Sequence, residues 1–167
     1  MIDAQLRDAA KRVLDVCRAQ GLRVATAESC TGGLVAAALT EIPGSSDVVD
    51  RGFVTYSNEA KAEMLGVPAA MLKRYGAVSS QTAAAMAAGA LKNSQADFTV
   101  AITGIAGPGG GSKQKPVGLV HFAAASRDGR QLAQRRLFGK IGRRQVRLRS
   151  VAQALELLER LARGARA

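Results

Sequence analysis

The feature that most limits what this chain can become is an alternation. Three short apolar runs, LRVATAE (22–28), GFVTYS (52–57) and DFTVAITG (97–104), are separated by helix-patterned sequence. Strand-length runs that alternate with helical periodicity predict βαβ units and parallel pairing. After the third run the pattern changes. VGLVHFAAAS (117–126), the turn pair Asp128-Gly129 and residues 130–138 read as a hairpin, which forces at least one antiparallel pair. Residues 143–163 then form a long helix, with Val146, Leu148, Val151, Leu155, Leu158 and Leu161 available for its inner face. The expected fold is α/β: a three-layer α/β/α sandwich around a mixed sheet.

The helices carry their own punctuation. Residues 3–20 place Leu6, Ala9, Ala10, Val13, Val16 and Cys17 at helical spacing before Gly21. LVAAALTEI (34–42) is helical up to Pro43-Gly44. Ser57 or Asn58 can cap a helix from Glu59 to Leu65, and Pro68 suits the first turn of another. Ser79 or Ser80 caps an Ala-rich helix running to about Leu91. No repeat or linker divides the 167 residues, so 1–167 is read as one domain. With aromatics at 4% and no Trp, the core must be built from Ala, Val, Leu and Ile.

Several classes of chemistry drop out early. Two cysteines, Cys17 and Cys30, make no disulfide framework, and His121 is the only histidine. A structural zinc site and a histidine-based triad are both disfavoured, and no metal or cofactor is expected. The first residues carry acids and lack the apolar run of a signal peptide, and no stretch reaches the length of a membrane span. A reducing, cytoplasmic setting is expected, without membrane contact. The net charge of +11 is uneven: residues 126–167 hold 12 Lys/Arg against 3 Asp/Glu. Such a block attracts nucleic acid or an anionic small molecule, or is simply a solvated face.

In open α/β sheets, ligands gather at strand ends. The unusual loops here are Ser29–Gly33, Ser57–Asn58 and Gly104–Lys115. GIAGPGGGSK (104–113) satisfies neither the Walker A pattern nor the dinucleotide GxGxxG. It is a glycine loop whose N–H groups can approach an anion, or else a flexible connection. SCTGG (29–33) stands between a strand and a helix, where free N–H groups form an anion or oxyanion site. Cys30 is a nucleophile or, with no histidine to activate it, a packed small side chain. Ser46, Tyr56 and Lys61 set hydroxyls near an amine. Lys61 can act as a base only if its pKa falls; otherwise it is an ordinary surface lysine.

At this point the residues resemble a known family. AESCTGG (27–33), PGSSDVVDRGFVTYSNEAKAEMLGV (43–67), GAVSSQTAAAMAAGAL (76–91) and TGIAGPGGGSKQKPVGLVHFA (103–123) are similar to the CinA C-terminal-domain family. The likeness is to its short, stand-alone nicotinamide-nucleotide amidases, which lack the larger N-terminal domain of full CinA proteins. The resemblance implies hydrolysis of nicotinamide mononucleotide to nicotinate mononucleotide and ammonia. It implies Ser46 as nucleophile, Lys61 as base and Tyr56 beside them. It implies Ser29 and Thr103 as site residues and a contribution from Arg143; Thr31 and Gly32 of the SCTGG turn and Gly104 and Gly107 of the glycine loop are the further candidates for substrate binding. The family's Gly-Asp before that arginine is Ile141-Gly142 here, which puts its placement in question. A homodimer is the assembly the resemblance suggests. Two rivals stand beside the amidase: a basic module in weak, non-specific, salt-sensitive contact with nucleic acid, and a family member that binds nucleotide without turning it over.

Overall fold

The computed structural model describes residues 2–164. Asp3 caps the first helix, α1 (Ala4–Arg18), by accepting the Leu6 N–H. Strand β1 (Val24–Glu28) and helix α2 (Leu34–Thr40) follow. A 3-10 turn at Ser45–Asp47 leads into β2 (Val49–Val54). Helices α3 (Asn58–Leu65), α4 (Ala69–Tyr75) and α5 (Ser80–Lys92) come next. Strands β3 (Phe98–Gly104), β4 (Leu119–Ser126) and β5 (Gln131–Leu137) precede the long α6 (Arg143–Gly164).

The five strands form one sheet in the order β2-β1-β3-β4-β5. β1 runs parallel to both β2 and β3, while β3, β4 and β5 are successively antiparallel. The sheet is therefore mixed, as the hairpin required. Two local expectations shift. β2 starts at Val49, ahead of the apolar run, because Val49 pairs with Val24 at the sheet edge. Pro68 is the N-cap of α4 rather than part of its first turn.

Alternating side chains place one layer of helices on each face. Phe98, Val100 and Ile102 of β3, with Val120 and Phe122 of β4, join the buried side chains of α1, α2 and α6. Ala101, Ala123 and Ala125 face α5, together with Leu65, Val67 and Leu72. This second face is made mostly of alanine, so α5 lies close to its neighbours. At Gly89 the approach leaves no room for a side chain: an added Cβ would stand 2.0 Å from the Leu65 carbonyl oxygen. We expect Gly89→Ala to lower unfolding free energy by about 3 kcal/mol, since backbone must separate to admit a methyl group. A urea midpoint matching wild type would overturn that.

The fold also engages much of the basic segment. Arg127 donates to the Leu91, Ser94 and Ala96 carbonyls at and just past the end of α5. Arg130 binds Asp128 and the Leu161 carbonyl, Arg136 binds Gln153, and Arg163 pairs with Glu159. These guanidiniums satisfy carbonyls and acids inside the molecule. Among the described residues, no helix is long and apolar enough to cross a membrane.

Candidate active site

The parallel pairing brings three strand ends to one place. Glu28 stands opposite both Val54 and Ile102. Just past it, Ser29 N–H donates to the Ile102 carbonyl and Thr55 N–H to the Glu28 carbonyl. The segments after β1 and β2 and the end of β3 are thus held side by side. Between them lies a cleft of about 260 Å³ lined by Ser29, Tyr56, Lys61, Thr103, Gly107 and Arg143, among others.

Lys61 is the unusual group. Ser57 caps α3, and Lys61 sits one turn in, 1% exposed. Its Nζ lies 3.0 Å from Ser29 Oγ, 2.9 Å from the Thr55 carbonyl and 3.3 Å from the Tyr56 carbonyl. No carboxylate pairs with it among the described ion pairs. Burial without a counter-charge lowers its pKa from the ordinary lysine value. A Cys30 thiolate would oppose that shift, but burial pushes the Cys30 thiol up to about 12, so it stays neutral. Cys30 is accordingly a packed thiol, not an activated nucleophile.

A neutral amine has two N–H groups and one lone pair. Two carbonyls and one hydroxyl accommodate either form of the group: an ammonium donates to all three oxygens, whereas the neutral amine donates to the carbonyls and its lone pair can accept the Ser29 O–H.

Arg143 forms the opposite wall. As the first residue of α6, it donates to the Gly107 carbonyl and to Tyr56 Oη, both at 2.9 Å. It reaches the cleft with Ile141-Gly142 before it. Gly142 adopts φ +94°, which glycine tolerates, and its carbonyl accepts the Val146 N–H in the first turn of α6. Thr103 Oγ1 donates to the Ala77 carbonyl at 2.7 Å, tying the segment before α5 to the cleft.

Four of the expected site features lie differently from the way the sequence suggested. Ser46 is exposed in the turn before β2, which enters the sheet beside the start of β1. Ser29 follows the end of β1, five residues on, so the two serines lie at opposite ends of the strand, about 16 Å apart along it. The serine that meets Lys61 is Ser29. The Tyr56 phenol is 60% exposed and bonded to Arg143; only its backbone carbonyl meets Lys61. Thr31 and Gly32 lie outside the cleft lining, against Arg147. The N–H groups opening α2 are not an anion site either. The buried Glu28 carboxylate already accepts from Val35 and Ala36 at 2.8 and 3.0 Å.

With this geometry in hand, the chain can be set beside known proteins. The model of the CinA C-terminal domain matches residues 6–162. The chain belongs to the CinA C-terminal domain family. Within it, the chain is 49% identical over 158 residues to the nicotinamide-nucleotide amidohydrolase PncC of Escherichia coli K12, covering 95% of each. Other relatives are longer. The match to the CinA-like protein of Mycobacterium marinum is 58% identical over 139 residues, 83% of this chain but 32% of that protein. A relative in Caldicellulosiruptor bescii is likewise spanned for only 30% of its length. Among solved structures, the competence/damage inducible protein CihA of Agrobacterium tumefaciens superposes with a TM-score of 0.93 at 56% identity, covering 95% and 96% of the two chains. A CinA superfamily protein of E. coli gives 0.89 at 36% identity, covering 96% and 93%.

Reading the sequence missed three parts of this CinA-family site. Glu28 and Arg147 hold the Ser29 turn from either side, and the Ala77-Val78 segment lines the cleft. Glu28 carried a signal: a lone acid ending an apolar strand must be buried, and a buried carboxylate needs donors. Ala77-Val78 carried none, because position alone brings it there.

Proposed function

We propose that this chain is an amidohydrolase that converts nicotinamide mononucleotide to nicotinate mononucleotide and ammonia, with Ser29 as nucleophile and Lys61 as general base. The observation that carries the reading is the buried Lys61 amine, without a carboxylate and 3.0 Å from Ser29 Oγ in an open cleft. The near full-length likeness to the E. coli amidohydrolase supports the choice of substrate.

In this reading Lys61 takes the Ser29 proton as Oγ bonds to the carboxamide carbon. The carbonyl oxygen becomes an oxyanion, met by backbone N–H groups of the lining segments at Cys30 and Gly109-Gly110. Collapse breaks the C–N bond, and Lys61 returns its proton to the nitrogen, releasing ammonia. A water, deprotonated by the same amine, adds to the acyl-serine ester, and nicotinate mononucleotide leaves as Ser29 recovers its proton. A neutral Lys61 also places no positive charge beside the substrate's pyridinium ring. Arg143 and the glycine loop stand on the far wall, where a phosphate would find a guanidinium. Thr103, Gly104 and Gly107 shape that wall rather than react. Free buried cysteines suit a reducing, cytoplasmic setting.

The test is direct. Wild-type protein incubated with nicotinamide mononucleotide, without added metal, is expected to release ammonia and nicotinate mononucleotide in equal amounts. No release from folded protein would sink the amidase and leave nucleotide binding without turnover.

A further inference from the structure

Arg147 lies one turn beyond Arg143 on α6, half-buried. Its Nε donates to the Cys30 carbonyl and its Nη2 to the Thr31 carbonyl, both at 3.1 Å. It makes none of the described ion pairs. Its planar fork spans two successive carbonyls of one turn, a geometry that the ammonium of a lysine does not reproduce. The turn is shaped to receive it. A Cβ at Gly32 would come within 3.3 Å of Arg147 Nη2, and Gly32 has φ +58°.

The consequence reaches Ser29 through planar peptides. Arg147 draws the carbonyls of Cys30 and Thr31 toward α6. The Gly32 N–H then bonds back to the Ser29 carbonyl at 3.0 Å, closing the turn. With the Ser29 carbonyl held there, the N–H of Cys30, on the same peptide, is held in the opposite direction. Ser29 Oγ is set at the same time, against Lys61.

We infer that Arg147 is a positioning residue: by clamping the Cys30 and Thr31 carbonyls it fixes the Ser29 hydroxyl on Lys61 and the Cys30 N–H for the developing oxyanion. This rests on the amidase reading above. Because Arg147 does not line the cleft, it acts on rate and not on substrate affinity.

The experiment compares full-length wild type, Arg147→Lys, Arg147→Ala and Ser29→Ala, each referred to its folded fraction by circular dichroism. With nicotinamide mononucleotide, Arg147→Ala is expected to lose about 100-fold in kcat, the scale of a small misplacement of reacting groups. KM should stay within about threefold. Arg147→Lys keeps the charge and stem but loses the fork, so it should recover less than about a tenth of wild-type kcat. Added guanidinium should partly restore Arg147→Ala and leave Arg147→Lys unchanged. A raised KM with kcat intact would make Arg147 a substrate contact and overturn the inference. So would kcat within twofold of wild type in both variants. If Ser29→Ala stays as active as wild type, the nucleophile assignment fails instead, whatever Arg147 does.

Discussion

Ser29→Ala is expected to reduce amidase turnover by about 10³-fold or more, while Ser46→Ala leaves it within about twofold. The two serines differ in everything the chemistry needs. Ser29 is buried in the cleft with its Oγ 3.0 Å from a buried amine. Ser46 is exposed at the other end of the sheet, next to an Asp47 that pairs with Arg18. Alanine at 29 removes the hydroxyl that lies against Lys61 yet keeps the backbone N–H bond to Ile102 that holds the strand end. The measurement is ammonia release under saturating substrate, with thermal unfolding of each variant alongside. A collapse in Ser46→Ala and a nearly normal Ser29→Ala would reverse the assignment and demand that Ser46 reach a cleft by some other route.

The second large effect is at Lys61. Lys61→Met keeps the length of the aliphatic stem in its buried seat but removes the proton acceptor. It is expected to lower kcat/KM by about 10²- to 10⁴-fold, the range general base catalysis contributes. It leaves the Thr55 and Tyr56 carbonyls without their donor, which costs about 1–3 kcal/mol, partly offset by no longer burying an amine. The pH dependence carries the sign. The active form is the neutral amine, so wild-type kcat/KM should rise with pH through the Lys61 pKa. That rise should fall below the 10.5 of an ordinary lysine, because burial disfavours the charged form. The same shift acts on stability. Between the lowered folded pKa and the unfolded value, the unfolded chain binds more protons at this site, so stability from Lys61 grows as pH rises through that window. In Lys61→Met this contribution should vanish. An alkaline limb at or above 10.5, or a methionine variant with a tenth of wild-type activity, would refute the role.

How much of this could be read from the sequence follows from what each feature depends on. The strands at 98–104 and 119–126 announce themselves by largely apolar runs, because they are buried on both faces of the sheet. β2 is an edge strand whose first residues, Val49, Asp50 and Arg51, are partly or fully exposed, so its true start carried no apolar signal. The site was legible as a set of loops, since parallel strands must end together. Its pairings were not. Ser29, Ser46 and Lys61 are 17 and 15 residues apart in order along the chain, and nothing in that spacing tells which serine a lysine meets. That depends on strand register, in which Glu28 stands opposite Val54 and Val24 opposite Val49. The strand sends one serine to each end. The Arg147 clamp was equally out of view, because it joins residues 117 positions apart.

Arg143 and Arg147, in the first turns of α6, give the molecule an order of assembly. Ser29 and Lys61 both come from the first 61 residues, and the strands that hold them are complete by Gly104. Yet the turn carrying Ser29 is clamped, and the far wall of the cleft closed, only by Arg143 and Arg147. On a ribosome, these arrive after almost the whole sheet has emerged. Until then the Ser29 turn lacks both guanidinium contacts and the cleft lacks Arg143. In the proposed amidase, the Ser29–Lys61 pair therefore gains its clamp and its far wall together, when the final helix docks.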